Sequence, residues 1–155
     1  MPCYAFEGIR PVVHPTTFVH PTASLIGDVI VGPGCYIGAG ASLRGDFGRI
    51  VVEGDSSVQD NCTLHTGSGS DCVIGRGATV GHGSIVHGAT IGENALVGMN
   101  AVVLDEAVIG AESLIGALSL VKSDMRAAPR SLIAGNPAKV IRQMPAEAIV
   151  WKNDG

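Results

Sequence analysis

The sequence predicts an all-β solenoid, a prism of stacked three-sided coils followed by a short C-terminal α-helix. Three observations carry that reading. First, one aliphatic residue recurs every six positions. The series runs Val19, Leu25, Val31, Ile37, Leu43, then Val52, Val58, Leu64, then Ile74, Val80, Val86, then Ile91, Val97, Val103, Ile109, Ile115 and Val121. Second, four residues after most of these stands a compact side chain: Ala23, Val29, Cys35, Ala41, Ser56, Cys62, Ala78, Ser84, Ala95, Ala101, Ala107, Ser113 and Ser119. Third, 46% of the residues are hydrophobic but only 4% are aromatic, and 22 of the 155 are glycine. Short strands of β-branched residues joined by tight turns use such a mix.

Each element follows from that beat. A large aliphatic fills the prism from each short strand, and a small residue fits where the backbone turns the corner. Three six-residue sides close one coil, and coils stack by parallel pairing roughly 4.8 Å apart. Each coil buries its apolar side against its neighbours, so the stack is stable where one coil would not be. The flat sides predict a symmetric homo-oligomer, a trimer. The beat stops after Val121, which divides the chain into a solenoid over 1–122 and a connection with a C-terminal helical segment over 123–155. Within the latter, Pro137–Arg142 is read as the start of a short helix. Pro145 opens a second helix before AEAIVWKN, packed along the prism.

Charge and composition exclude several classes of function. A net charge of −4 gives no footprint for nucleic acid or an anionic membrane. No run of apolar residues is long enough for a transmembrane helix, and MPCYAFEGIR has no signal-peptide pattern. Cys3, Cys35, Cys62 and Cys72 share no CxxC spacing and read as reduced thiols of a cytoplasmic protein. Cys35 and Cys62 fall in the small-residue column and read as inert packing.

The beat breaks three times: Leu43 to Val52 has three extra residues, Leu64 to Ile74 has four, and Val86 to Ile91 is one short. Insertions at solenoid corners often lie on a functional face. Counted by coils, Leu43, Leu64 and Val86 share a column, so their followers Arg44, His65 and His87 stack on one face. Val58 and Val80 share the neighbouring column, with Gln59 and Asp60 below Gly81 and His82. Two imidazoles one coil apart can converge on one metal ion. His82 lies beyond a corner from His87. It is either a solvent-facing imidazole or the partner of another subunit's His65/His87 pair across a three-fold axis. Three histidines and water suit Zn²⁺ with an open fourth position, and Fe²⁺ or Co²⁺ would also be held. Gln59 and Asp60 are candidate outer partners of the ligands, and Arg44 and Asp46 a candidate ion pair. The plain alternative is that all of these are surface polar residues. His14 and His20, each before a proline, read as turn residues.

These residues resemble the γ-class carbonic anhydrase-like family of hexapeptide-repeat proteins. The resemblance rests on Arg44-Gly45-Asp46, Gln59-Asp60-Asn61, His65, VGHGSIVHG over 80–88 and IGENALVGMNAVVLD over 91–105. PVVHP, FVHPTA, LIGDVIVG and SLRGDFGRIVV are similar to its PaaY/CaiE subgroup, while GNPAKVIR is shared with hexapeptide acyltransferases. The resemblance implies a left-handed parallel β-helix and a homotrimer. It implies a metal bound by His65 and His87 of one subunit and His82 of the next. It also implies interface ion pairing by Arg44, Asp46 and Asp60, and places Gln59 near the reacting solvent. The chain departs from the family at Phe47, where the best-known members carry glutamate. It departs again at TGSGSD, where they carry a long acidic loop. Those glutamates shuttle protons, so fast CO2 hydration needs another route here. The C-terminal helix is also expected to be shorter than in the subgroup.

Four functions compete. The first is reversible CO2 hydration by a metal hydroxide, a lyase activity. In the second, the same nucleophile hydrolyses an acyl-CoA thioester, as implied by resemblance to PaaY in phenylacetate breakdown. The third is hexapeptide acyl transfer with a histidine base and no metal. The fourth is an accessory protein without catalysis.

Overall fold

The structure is a computed structural model that describes residues 1–149 and 151. It is a parallel β-solenoid of about 7 turns with almost no helix, and its hexapeptide repeats fit a left-handed β-helix. Three columns of inward side chains run its length. Leu25, Leu43, Leu64, Val86, Val103 and Val121 stack on the first side. Val31, Val52, Ile74, Ile91 and Ile109 stack on the second. Val19, Ile37, Val58, Val80, Val97 and Ile115 stack on the third. All of these except the half-buried Val19 are at most 2% exposed, and the thirteen compact residues between them are buried too. Each fully buried Val, Leu or Ile contributes roughly 1.5–3 kcal/mol relative to an exposed position.

The coil does not end at Val121. Arg126–Ala127 pairs with Val108–Ile109, and Ser131–Gly135 pairs with Leu114–Ile115. The expected connection over 123–136 is therefore one more turn of solenoid. Ala127 and Ile133 hold the next two inward places, both buried. An alanine in an aliphatic slot is what made the beat look finished. Pro137–Arg142 is likewise no helix start. Past the cis Asn136–Pro137 peptide, Ala138–Gln143 runs back antiparallel to Ser131–Gly135. Val140 and Ile141 favour that extended form, and the strand covers an edge that would otherwise lie open.

The C-terminal helix is represented among the described residues by a single 3-10 turn, Ala146–Ala148, with Pro145 immediately before it. The rest of that expectation, over 150 and 152–155, lies outside the described residues. Ile149 is buried, and the Trp151 indole N–H donates to the Asn94 carbonyl at 3.0 Å, which ties this segment to a corner of the prism. Among the described residues no helix is long and apolar enough to cross a membrane.

All four cysteines are free thiols. Cys72 fills a compact inward site that the sequence reading left unassigned, and burial pushes its thiol up to about 12. Burial also raises Cys35 and Cys62. Thiolate is the reactive form. Burial raises the Cys3 thiol as well, so access decides: in the folded protein at about pH 8, near the ordinary thiol pKa, iodoacetamide should modify the partly exposed Cys3 and spare the buried Cys35, Cys62 and Cys72. Mass spectrometry of the native and unfolded chains checks this; native labelling of Cys72 would contradict it.

Candidate metal centre

The three interruptions of the beat all act on the first side of the prism. Ser42–Val52 is one long strand that rounds the corner, and it carries the first insertion. There Asp46 turns back toward the column while Phe47 projects outward, 62% exposed. The second insertion, over 66–71, is closed by the buried Thr66 hydroxyl, which donates to the Ser70 carbonyl at 3.1 Å. The third break shortens the corner after His87, where Gly88 takes a left-handed φ of 59°.

His87 lies directly over His65 in the ladder, as coil counting predicts. Their rings are 5.0 Å apart between centroids, and His65 Nδ1 faces His87 Nε2 at 3.0 Å. Each ring's other nitrogen meets a carboxylate. His65 Nε2 is 2.8 Å from Asp46 Oδ1, and His87 Nδ1 is 2.7 Å from Asp105 Oδ1. The Arg44 guanidinium donates to the second oxygen of Asp46. Arg44, Asp46, His65, His87 and Asp105 thus form one continuous chain across successive coils. Burial raises the Asp46 pKa, but the hydrogen bonds from His65 and Arg44 outweigh it and hold the carboxyl below its ordinary value. Phe47 meets the His65 ring edge-on at 5.9 Å.

An ionised carboxylate only accepts hydrogen bonds, so both outer imidazole nitrogens are the donors. In the neutral rings the two facing nitrogens then both carry lone pairs. At 3.0 Å that pair is repulsive unless a shared proton or a metal cation lies between them. Tetrahedral zinc separates two imidazole ligand atoms by roughly 3.3 Å, from Zn–N distances of about 2.0–2.1 Å. Carboxylates on the outer nitrogens are the usual support of metal-ligating histidines. On this donor set the residues fit a divalent metal.

The remaining predicted residues sit around the corner. Val58 and Val80 pair in register, as expected. The His82 backbone N–H donates to Gln59 Oε1 at 3.2 Å, and His82 Nδ1 is 4.0 Å from Asp60 Oδ2. Within one chain, Gln59 and Asp60 thus serve His82, whereas Asp46 and Asp105 serve His65 and His87. The His82 side chain is 53% exposed. No group of three His, Cys, Asp or Glu side chains among the described residues is arranged to hold a metal. One chain therefore brings together His65 and His87 and leaves His82 on the outside.

Asp105 was missed in the sequence. Its signal was its position one coil above the shortened corner, visible only once that corner's path is known. His14 and His20 are turn residues as read: Nδ1 of each accepts the backbone N–H two residues on, from Thr16 at 3.2 Å and Thr22 at 3.1 Å.

Known proteins agree with this architecture. Residues 10–45 and 88–123 match the family described as bacterial transferase hexapeptide (six repeats), and 69–105 match the hexapeptide repeat of succinyl-transferase. The carnitine operon protein CaiE of Escherichia coli strains O1:K1 / APEC and K12 / DH10B is 52% identical over 152 residues, 98% of this chain and 78% of the relative. Among solved structures, a hexapeptide transferase family protein from Anaplasma phagocytophilum superposes with a TM-score of 0.93 at 39% identity, covering 98% of this chain and 90% of that one. A provisionally assigned Bacillus cereus acetyltransferase gives 0.94 at 34% identity, covering 98% and 88%. The chain belongs to the hexapeptide-repeat family, in its CaiE/PaaY-like subgroup. Its transferase-like relatives point to an enzyme.

Proposed function

We propose that the chain is a γ-carbonic anhydrase-type metalloenzyme that hydrates CO2 reversibly. Zinc would be held by His65 and His87 of one subunit and His82 of the next in a homotrimer. The observation that carries this reading is the pair of facing imidazole nitrogens, each ring fixed from behind by its own carboxylate. A divalent metal there supplies Lewis acidity, which makes water a nucleophile at neutral pH. The protein's own part is positioning. Asp46 and Asp105 hold the two rings, and Arg44 keeps Asp46 ionised and aimed. With its Oε1 engaged by His82 N–H, Gln59 would offer its amide N–H groups as donors to reacting solvent. The overall change is CO2 and water to bicarbonate and a proton. Purified protein is expected to carry close to one zinc per chain, with stopped-flow CO2 hydration lost on chelation and restored by zinc. Full hydration by metal-free protein would overturn the proposal.

One observation favours a second reading, acyl-CoA thioester hydrolysis at the same centre. Beside His82 runs an apolar trough of about 390 Å³, lined by Leu96, Val97, Met99, Leu114 and Ile115. CO2 needs no such surface, whereas an acyl group would use it. Thiol release from phenylacetyl-type CoA esters separates the two activities.

A further inference from the structure

We infer that Asp105 is a positioning residue for His87, delivered by the shortened corner at Gly88. The corner after Val86 is one residue short of the beat, and Gly88 there has a φ of 59°. Its backbone is pinned on both sides: Gly88 N–H donates to the His65 carbonyl at 2.9 Å, and Glu106 N–H donates to the Gly88 carbonyl at 2.8 Å. Asp105 therefore sits immediately above Gly88, and its carboxylate reaches across to His87 Nδ1 at 2.7 Å.

Glycine is required for that reach. A Cβ at position 88 would lie 2.3 Å from Asp105 Oδ1 and 3.3 Å from Thr66 Oγ1. A side chain at 88 would displace the carboxylate, besides straining a left-handed backbone. The contact has one chemical consequence: it puts the His87 proton on Nδ1 and leaves Nε2 bare toward His65. Without Asp105 the imidazole is free to exchange tautomers and to turn. The shortened corner thus has a definite effect, to set which nitrogen of His87 faces its neighbour.

The zinc part of the test rests on the metal reading above; the tautomer part does not. In Asp105→Ala, zinc affinity measured by chelator competition is expected to fall roughly 10–100-fold, the usual cost of losing an outer-shell partner. Asp105→Asn keeps a carbonyl acceptor and should fall in between. Gly88→Ala should match Asp105→Ala although the aspartate is still present. Glu106→Gln, next along the chain, should leave affinity unchanged. In metal-free protein, ¹⁵N chemical shifts of the His87 ring should report an Nδ1–H tautomer in the wild type and a mixture in Asp105→Ala. Wild-type zinc affinity together with an unchanged tautomer in Asp105→Ala would overturn the inference. If the wild type binds no zinc, the metal reading fails, and the tautomer measurement alone decides: an unchanged His87 in Asp105→Ala overturns it.

Discussion

Replacing His65 by alanine is expected to remove the metal altogether, taking zinc from close to one per chain to a trace. His65 is buried in the first column, and it faces His87 on one side and Asp46 on the other. Alanine deletes one of the two nitrogens that converge from a single chain. It also leaves Asp46 with Arg44 as its remaining side-chain hydrogen-bond partner among the described residues. The loss should exceed the roughly 10–100-fold cost of an outer-shell change, because a direct ligand is gone. CO2 hydration should fall in step with zinc content. The fold should survive, since Leu64 beneath His65 still fills the core and the strand pairing is backbone to backbone. Metal analysis and a thermal melt on the same sample check both halves.

The largest expected effect on stability is at Leu64 itself. It is fully buried and stacked between Leu43 and Val86. Parallel ladders on three sides fix the backbone, so a cavity there has little freedom to collapse. Leu64→Ala is expected to cost about 2–5 kcal/mol. For a chain of this size each kcal/mol shifts the melting temperature by about 2–4 °C, so Leu64→Ala should melt roughly 4–20 °C lower. A shift under about 2 °C would mean that the coils relax far more readily than their packing implies. Because Leu64 precedes His65 on the same strand, the variant should also bind zinc more weakly than its stability alone suggests.

The solenoid was legible because its inward positions are chemically uniform: aliphatic in one column, compact in the next. The reading failed where that uniformity ended. Ala127 hid the last coil, and Val140 and Ile141 in a return strand were read past in favour of a proline-led helix. At the site, coil counting alone placed His87 over His65, and Gln59 and Asp60 beneath Gly81 and His82. It could not show which carboxylate backs which ring. Asp46 reaches His65 from an insertion whose path has no repeat to follow, and Asp105 reaches His87 across the corner where Gly88 turns left-handed. Periodicity reports regular backbone; the outer contacts of this site are made where the backbone is irregular.

The proposed metal site is divided between two subunits, with His82 supplied from outside. His82 stands at an exposed corner, and its structural contact to Gln59 is made by its backbone N–H, so His82→Ala should keep the fold and lose the metal. The most direct measurement mixes two deficient chains, His65→Ala and His82→Ala, by co-expression, and counts zinc in the purified trimers. Each variant alone should bind almost none. In a closed three-fold ring every mixed trimer rebuilds one intact interface, so random mixing in equal amounts should restore about a quarter of the wild-type zinc, with CO2 hydration to match. Mixed trimers without zinc, or His82→Ala alone holding zinc at wild-type affinity, would contradict a shared site.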